Sequence, residues 1–190
     1  MEFALKPNQH TYEYILTLPE TARCELIDGN IYNMAPPNRI HQKISGYLHR
    51  EIANYLNGKE CEVYAGPFGV FLLEEGVDDL KKAKNMVEPD IVVICDSKKL
   101  INEGCQGAPD FIIEITSPSS KRLDYVKKLA LYDEFGVQEY WIVNPADKSI
   151  LVYWREEGAF GRPQVFSFND KVRVSIFRDL EIDFAEISLV

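Results

Sequence analysis

The sequence predicts an α/β (α+β) fold built on a mixed central β-sheet flanked by helices. Three observations predict it. Two apolar runs, Asp90-Ile91-Val92-Val93-Ile94 and Asp110-Phe111-Ile112-Ile113-Glu114-Ile115, have strand length and almost no alternation, so they read as buried strands. Residues 121–135 read as a helix stopped by Gly136 and followed by a strand over 139–143. That strand–helix–strand passage is one parallel crossover, expected to be right-handed. A second, longer helix lies upstream, so helices are available for both sides of the strands.

The elements follow in order. Residues 11–20 predict a short helix stopped near Pro19. In Cys24-Glu25-Leu26-Ile27-Asp28-Gly29-Asn30-Ile31-Tyr32, two apolar-rich runs flank Asp-Gly, the pair that suits a type I′ turn with positive φ at both centres. This register sets Glu25 opposite Tyr32 and Leu26 opposite Ile31. After Pro36-Pro37, Asn38 caps a helix running to about Gly58, with Ile40, Ile44, Tyr47, Leu48, Ile52, Tyr55 and Leu56 on one stripe. Short strands are predicted at 61–65 and 68–73, then a charged, turn-like stretch over 74–86. The last third is strand-rich at 150–153, 164–168 and 172–176. No repeat, linker or low-complexity tract divides the 190 residues, which are expected to form one domain, 1–190.

Composition narrows the function. The chain is 46% hydrophobic and 27% charged, as ordinary globular proteins are. No run approaches the roughly 18 apolar residues of a membrane helix, and the first residues lack the pattern of a signal peptide. A cytoplasmic location with no membrane partner is the expectation. Thirty acids against 21 Lys and Arg give a net charge of −9. Broad phosphate neutralisation is therefore excluded, and contact with DNA must be local, metal-assisted or weak. Cysteines at 24, 61, 95 and 105 form no Cys-x-x-Cys, and histidines at 10, 41 and 49 have no zinc spacing. Reduced thiols and no structural zinc are expected. Gly-rich nucleotide-binding loops and a Gly-x-Ser-x-Gly elbow are absent. Tyr140-Trp141 reads as core.

Asp90 and Glu114 carry the most information. Side chains alternate along a strand, so Glu114 shares a face with Asp110, Ile112 and Thr116. A carboxylate inside Phe-Ile-Ile-Glu-Ile is costly to bury unpaired, so it needs a cation, hydrogen bonds or an open site. Structural explanations stand beside this: a strand start after Pro89 for Asp90, and a Lys or Arg partner for Glu114. If the two strands are neighbours, both acids reach one divalent ion, and Mg²⁺ prefers one or two carboxylates with waters.

These residues also carry a resemblance. Glu88-Pro89-Asp90-Ile-Val-Val and Ala108-Pro109-Asp110-Phe-Ile-Ile-Glu114-Ile-Thr-Ser117-Pro118-Ser119 resemble the PD-(D/E)XK nucleases, and more closely the Uma-type restriction endonuclease family. The segments Cys24–Gly29, His41 with Ser45 and Leu48, Lys128-Leu-Ala-Leu-Tyr132 and 136–143 match as well. The resemblance implies a restriction-endonuclease-like fold and Mg²⁺-dependent (Mn²⁺ in its place) hydrolysis of DNA, with Asp90 and Glu114 as metal ligands. Where the wider fold has Lys two residues after the Glu, this chain has Thr116; Lys128 is the substitute, paired with Asp124 four residues earlier. Glu25 resembles the extra acid of the fold, and His41 is set to reach a phosphate or the attacking water. Local readings compete: a solvated Lys128, an exposed cross-strand Glu25, a locally satisfied His41, and Lys127 as plain surface. Lys81, Lys82 and Lys84 are a DNA contact or a solvated stretch. A homodimer is expected by analogy with nucleases that meet both strands of a duplex. The alternative function is an inactive binding or assembly module on the same fold.

Overall fold

A computed structural model of the chain describes residues 10–19, 21–118 and 120–187. From the N-terminus, α1 (Tyr12–Ile15) is shorter than the helix predicted over 11–20; a turn follows it, and residue 20 lies outside the described residues. Strands β1 (Cys24–Ile27) and β2 (Asn30–Asn33) form the predicted hairpin, with Glu25 opposite Tyr32 and Leu26 opposite Ile31. Asp28 and Gly29 take φ of 50° and 70°, the left-handed pair a type I′ turn needs. Helix α2 (Arg39–Leu56) starts where the Asn38 side chain accepts the His41 N–H at 2.9 Å, and it buries Ile44, Tyr47, Leu48, Ile52 and Leu56. Then come β3 (Glu62–Ala65), β4 (Gly69–Phe71), β5 (Met86–Val87), β6 (Ile91–Ile94), β7 (Leu100–Ile101), β8 (Gly104–Gln106) and β9 (Phe111–Ile115). A π-helical turn, Leu123–Lys128, runs into α3 (Leu129–Phe135), which Gly136 ends at φ 88°. The rest is β10 (Glu139–Asn144), β11 (Ser149–Glu156), β12 (Ala159–Phe160), β13 (Gln164–Ser167), β14 (Lys171–Arg173) and β15 (Glu181–Asp183).

Seven strands form a mixed sheet in the order β12-β11-β10-β9-β6-β3, with β13 also on β11. Within it β9 and β10 run parallel, Ile112 beside Tyr140, as the crossover required, while β6 is antiparallel to both β9 and β3. Where the sequence predicts one central sheet, the structure adds a six-stranded one, β2-β1-β5-β4-β8-β7, and a ribbon of β14 and β15. Strands β5, β7 and β8 have only two or three residues, too few for a periodicity to show.

The two faces of the seven-stranded sheet have different covers. Ile91, Val93, Phe111, Ile113 and Ile115 pack with the α2 stripe and with Val172, Ile182 and Phe184 of the tail. Val92, Ile94, Ile112, Tyr140 and Ile142 pack instead with Leu131 and Tyr132 of α3 and with Ile27, Val70 and Val87 of the second sheet. Tyr140 and Trp141 are both fully buried, the core role predicted for them. The second face, between the two sheets, is the one Asp90 and Glu114 share.

One cysteine expectation is corrected. Glu62 pairs with Ile94 across β3 and β6, so Cys61 and Cys95 fall opposite each other one step further on, and they are joined in a disulfide with Cα atoms 4.0 Å apart. Their separation of 34 residues hides this in the sequence, because only the strand register brings them together. Cys24 and Cys105 are free thiols, both buried. Among the described residues, no helix is long and apolar enough to cross a membrane.

Candidate active site

The register of β6 against β9 sets where the two acids lie. Ile91 pairs with Ile113, so the next step along the ladder sets Asp90 opposite Glu114. Side chains directly opposite on one sheet face have Cβ atoms about 4.5–5.5 Å apart. Asp90 sits just outside β6 and serves the strand as well: its Oδ2 accepts the Ile115 N–H at 2.7 Å. Its Oδ1 lies 3.1 Å from His41 Nε2. His41, in the first turn of α2, thus reaches over the sheet end, and with Nε2–H directed at Asp90 the buried Nδ1 has no partner among the described residues.

Behind the pair is Lys128. Its Nζ donates to Glu25 Oε1 at 2.7 Å and to Glu114 Oε1 at 2.8 Å, and lies 3.8 Å from Asp124 Oδ1. The exposed readings of Lys128 and Glu25 are overturned, since Lys128 is 3% and Glu25 1% accessible. The reason is tertiary: β1 contributes Glu25, β9 Glu114, and the π-helical turn Asp124 and Lys128 to a common point, which no single element reveals. Asp124, Lys128 and Tyr132 follow at four-residue spacing and share a side of the helix. Tyr132, fully buried, donates its hydroxyl to Glu114 Oε1 at 2.9 Å. The Glu88 N–H donates to Glu25 Oε1 at 2.9 Å. Tyr132 belonged to a matched segment but had no role there; its spacing from Lys128 was the signal.

The charges set each other's protonation. Burial drives the Glu114 carboxyl well above the usual range, with Lys128 opposing and Asp124, Asp90 and Glu25 reinforcing. Burial likewise lifts Asp124 to about 6, against the pull of Lys128 and a Ser120 hydrogen bond. For Lys128 burial works downward, but Glu114, Glu25 and Asp124 outweigh it and the ammonium is held charged. Burial and mutual repulsion thus favour the protonated form of Glu114 and Asp124, while the same acids favour the charged form of Lys128.

All five residues singled out in the sequence, Glu25, His41, Asp90, Glu114 and Lys128, line one cavity of about 1270 Å³. Thr116, Arg122, Asp124 and Lys127 line it too. Lys127 is exposed, as expected, yet faces this cavity, which corrects its reading as plain surface. Lys81, Lys82 and Lys84 are exposed and lie off the cavity, with Lys84 paired to Glu74 at 3.2 Å. Among the described residues no group of three or more His, Cys, Asp or Glu is arranged to cage a metal. The donor set fits a smaller demand: two opposed carboxylates at a cavity wall suit a hard ion that keeps several waters, as Mg²⁺ does.

The comparisons agree with this architecture. The family model described as Uma2, putative restriction endonuclease, matches residues 11–185, and the chain belongs to that family. The crystal structure of a putative nuclease belonging to DUF820 from Anabaena variabilis is similar over 94% of this chain and 97% of its own, with a TM-score of 0.74 and 22% identity. At that identity the likeness shows the shared fold, a mixed α+β arrangement of the restriction-endonuclease-like kind. The uncharacterized protein slr1290 of Synechocystis is 28% identical over 138 residues, covering 70% of this chain and 66% of that protein's length.

Proposed function

We propose that the chain is a Mg²⁺-dependent endodeoxyribonuclease, with Mn²⁺ able to replace Mg²⁺, that hydrolyses DNA phosphodiester bonds. The observation that carries this reading is the opposition of Asp90 and Glu114 across β6 and β9, at the wall of the cavity. Asp90 and Glu114 hold the ion. Bound there, a divalent ion polarises a phosphoryl oxygen and lowers the pKa of a water. Lys128 and Tyr132 both engage Glu114 Oε1, which fixes the carboxylate that would hold the ion. Lys128 also supplies positive charge beside the developing negative charge of the transition state. Glu25 anchors Lys128, and Asp90 fixes the ring of His41 for contact with a phosphate or the attacking water.

The test is calorimetric titration with Mn²⁺ of the wild type and of Glu114→Ala. The wild type should bind, the variant should bind at least tenfold more weakly, and cleavage of a supercoiled plasmid should follow the same order. Equal binding by both removes the metal-site reading. Two observations favour the second reading, an inactive binding module: Thr116 is uncharged, and Lys128 is engaged by three acids. That module predicts DNA binding unaffected by Asp90→Ala together with no cleavage in any divalent ion. The proposal includes a homodimer acting on both strands; a sedimentation mass of one 21.8 kDa chain under assay conditions overturns that part.

A further inference from the structure

Thr116, Arg122 and Lys127 line the cavity beside the carboxylates, and the chemistry above gives them no task. Thr116 lies two residues beyond Glu114, on the same side of the strand. It is 6% accessible and lines the cavity wall. A hydroxyl at a cavity wall can both donate and accept, so it suits an oxygen of a ligand there. Ser120 is not equivalent, since its hydroxyl is taken up by Ser117 and Asp124.

Arg122 and Lys127 are five residues apart. On an α-helix that spacing turns two side chains to different sides, but the hydrogen bonds of a π-helical turn close over five residues and return them to one side. Arg122 directly precedes the turn Leu123–Lys128 and Lys127 lies within it, and both reach the cavity. Both are exposed, and neither has an acidic partner among the described residues. Their neighbours differ: Arg23 is tied to Glu88 at 2.8 Å and Lys121 to Asp147 at 3.0 Å. In a chain of net charge −9, two such cations on a cavity wall call for an anion. A guanidinium fork, an ammonium and a hydroxyl together match the oxygens of a phosphate.

We propose that Thr116, Arg122 and Lys127 form a subsite for a second backbone phosphate of a polynucleotide, beside the phosphate at Asp90 and Glu114. The subsite rests on the nuclease reading for its substrate and fixes the register of the strand in the cavity. The test is fluorescence anisotropy with a short labelled DNA duplex and the full chain in EDTA, over a range of salt concentrations. Arg122→Gln/Lys127→Gln should lower the slope of log affinity against log salt by about 2, one for each phosphate-contacting cation. Thr116→Val should weaken binding about fivefold with the slope unchanged, the worth of one hydrogen bond. Lys171→Gln/Arg173→Gln, an exposed pair away from the cavity, should keep the wild-type slope and affinity.

A wild-type slope in the Arg122/Lys127 variant overturns the subsite, and so does a wild type that fails to bind the duplex in EDTA. Inorganic phosphate titrated alone separates the sources: saturable phosphate binding without duplex binding overturns the backbone assignment in favour of a free phosphate. Failure of the metal reading looks different. It is read from equal Mn²⁺ binding by the wild type and Glu114→Ala, and it leaves the difference in EDTA salt slope between the wild type and Arg122→Gln/Lys127→Gln in place.

Discussion

Lys128 is the residue on which the buried charges converge. Replacing it by Met leaves Glu25, Glu114 and Asp124 facing one another without a cation, and breaking a buried ion pair in this way costs about 3–5 kcal/mol. Urea unfolding of Lys128→Met should show that loss; a change under about 1 kcal/mol would show that the acids do not depend on the ammonium. Asp124 supplies a pH signature. Its carboxyl moves from 3.8 to about 6 on folding, so the native state binds more protons than the unfolded chain across that window. Stability contributed by the proton is present at the acid end and is lost as pH rises through about 6. Unfolding free energies of the wild type minus those of Asp124→Asn should therefore fall between pH 4 and pH 6, and a rising difference contradicts the burial argument.

At the scale of elements, strand pairing does what sequence spacing alone does not reveal. The Asp28-Gly29 turn, the Asn38 cap, the buried runs at β6 and β9 and the parallel β10 were all legible, because each is written in local residue types or in period. Asp90 and Glu114 were legible because a charge in an apolar strand stands out. The second sheet was not, since β5, β7 and β8 are too short to have a pattern. Nor was the π-helical turn, whose residues suit an α-helix equally well and which alone brings Lys127 round to the cavity. The Cys61–Cys95 bridge belongs to the same class, since it depends on register between β3 and β6. By loop-closure entropy a bridge over this separation is worth roughly 3–4 kcal/mol. Cys61→Ser/Cys95→Ser should lose stability of that order in urea unfolding; an unchanged midpoint would show that the strand pairing holds without it.

For the whole molecule, the candidate site is a joint between layers. Asp90 and Glu114 come from the seven-stranded sheet, Glu25 from the other sheet, Lys128 from the turn leading into α3, and His41 from α2 on the opposite face. An ion held by the two carboxylates favours the assembled state alone, so Mn²⁺ at a hundred times its dissociation constant should stabilise the wild type by about 2.7 kcal/mol. Thermal unfolding with and without Mn²⁺ checks this, and Glu114→Ala should show no such gain. The hairpin of β1 and β2 is tied to the charged cluster by Glu25, whose carboxylate grips Lys128 and the Glu88 backbone. In a genetic screen for lost activity, lesions in the turn at Asp28-Gly29 would therefore be scored beside lesions of Glu114, and a map of inactivating substitutions would outline the seam between the sheets rather than a patch around the metal.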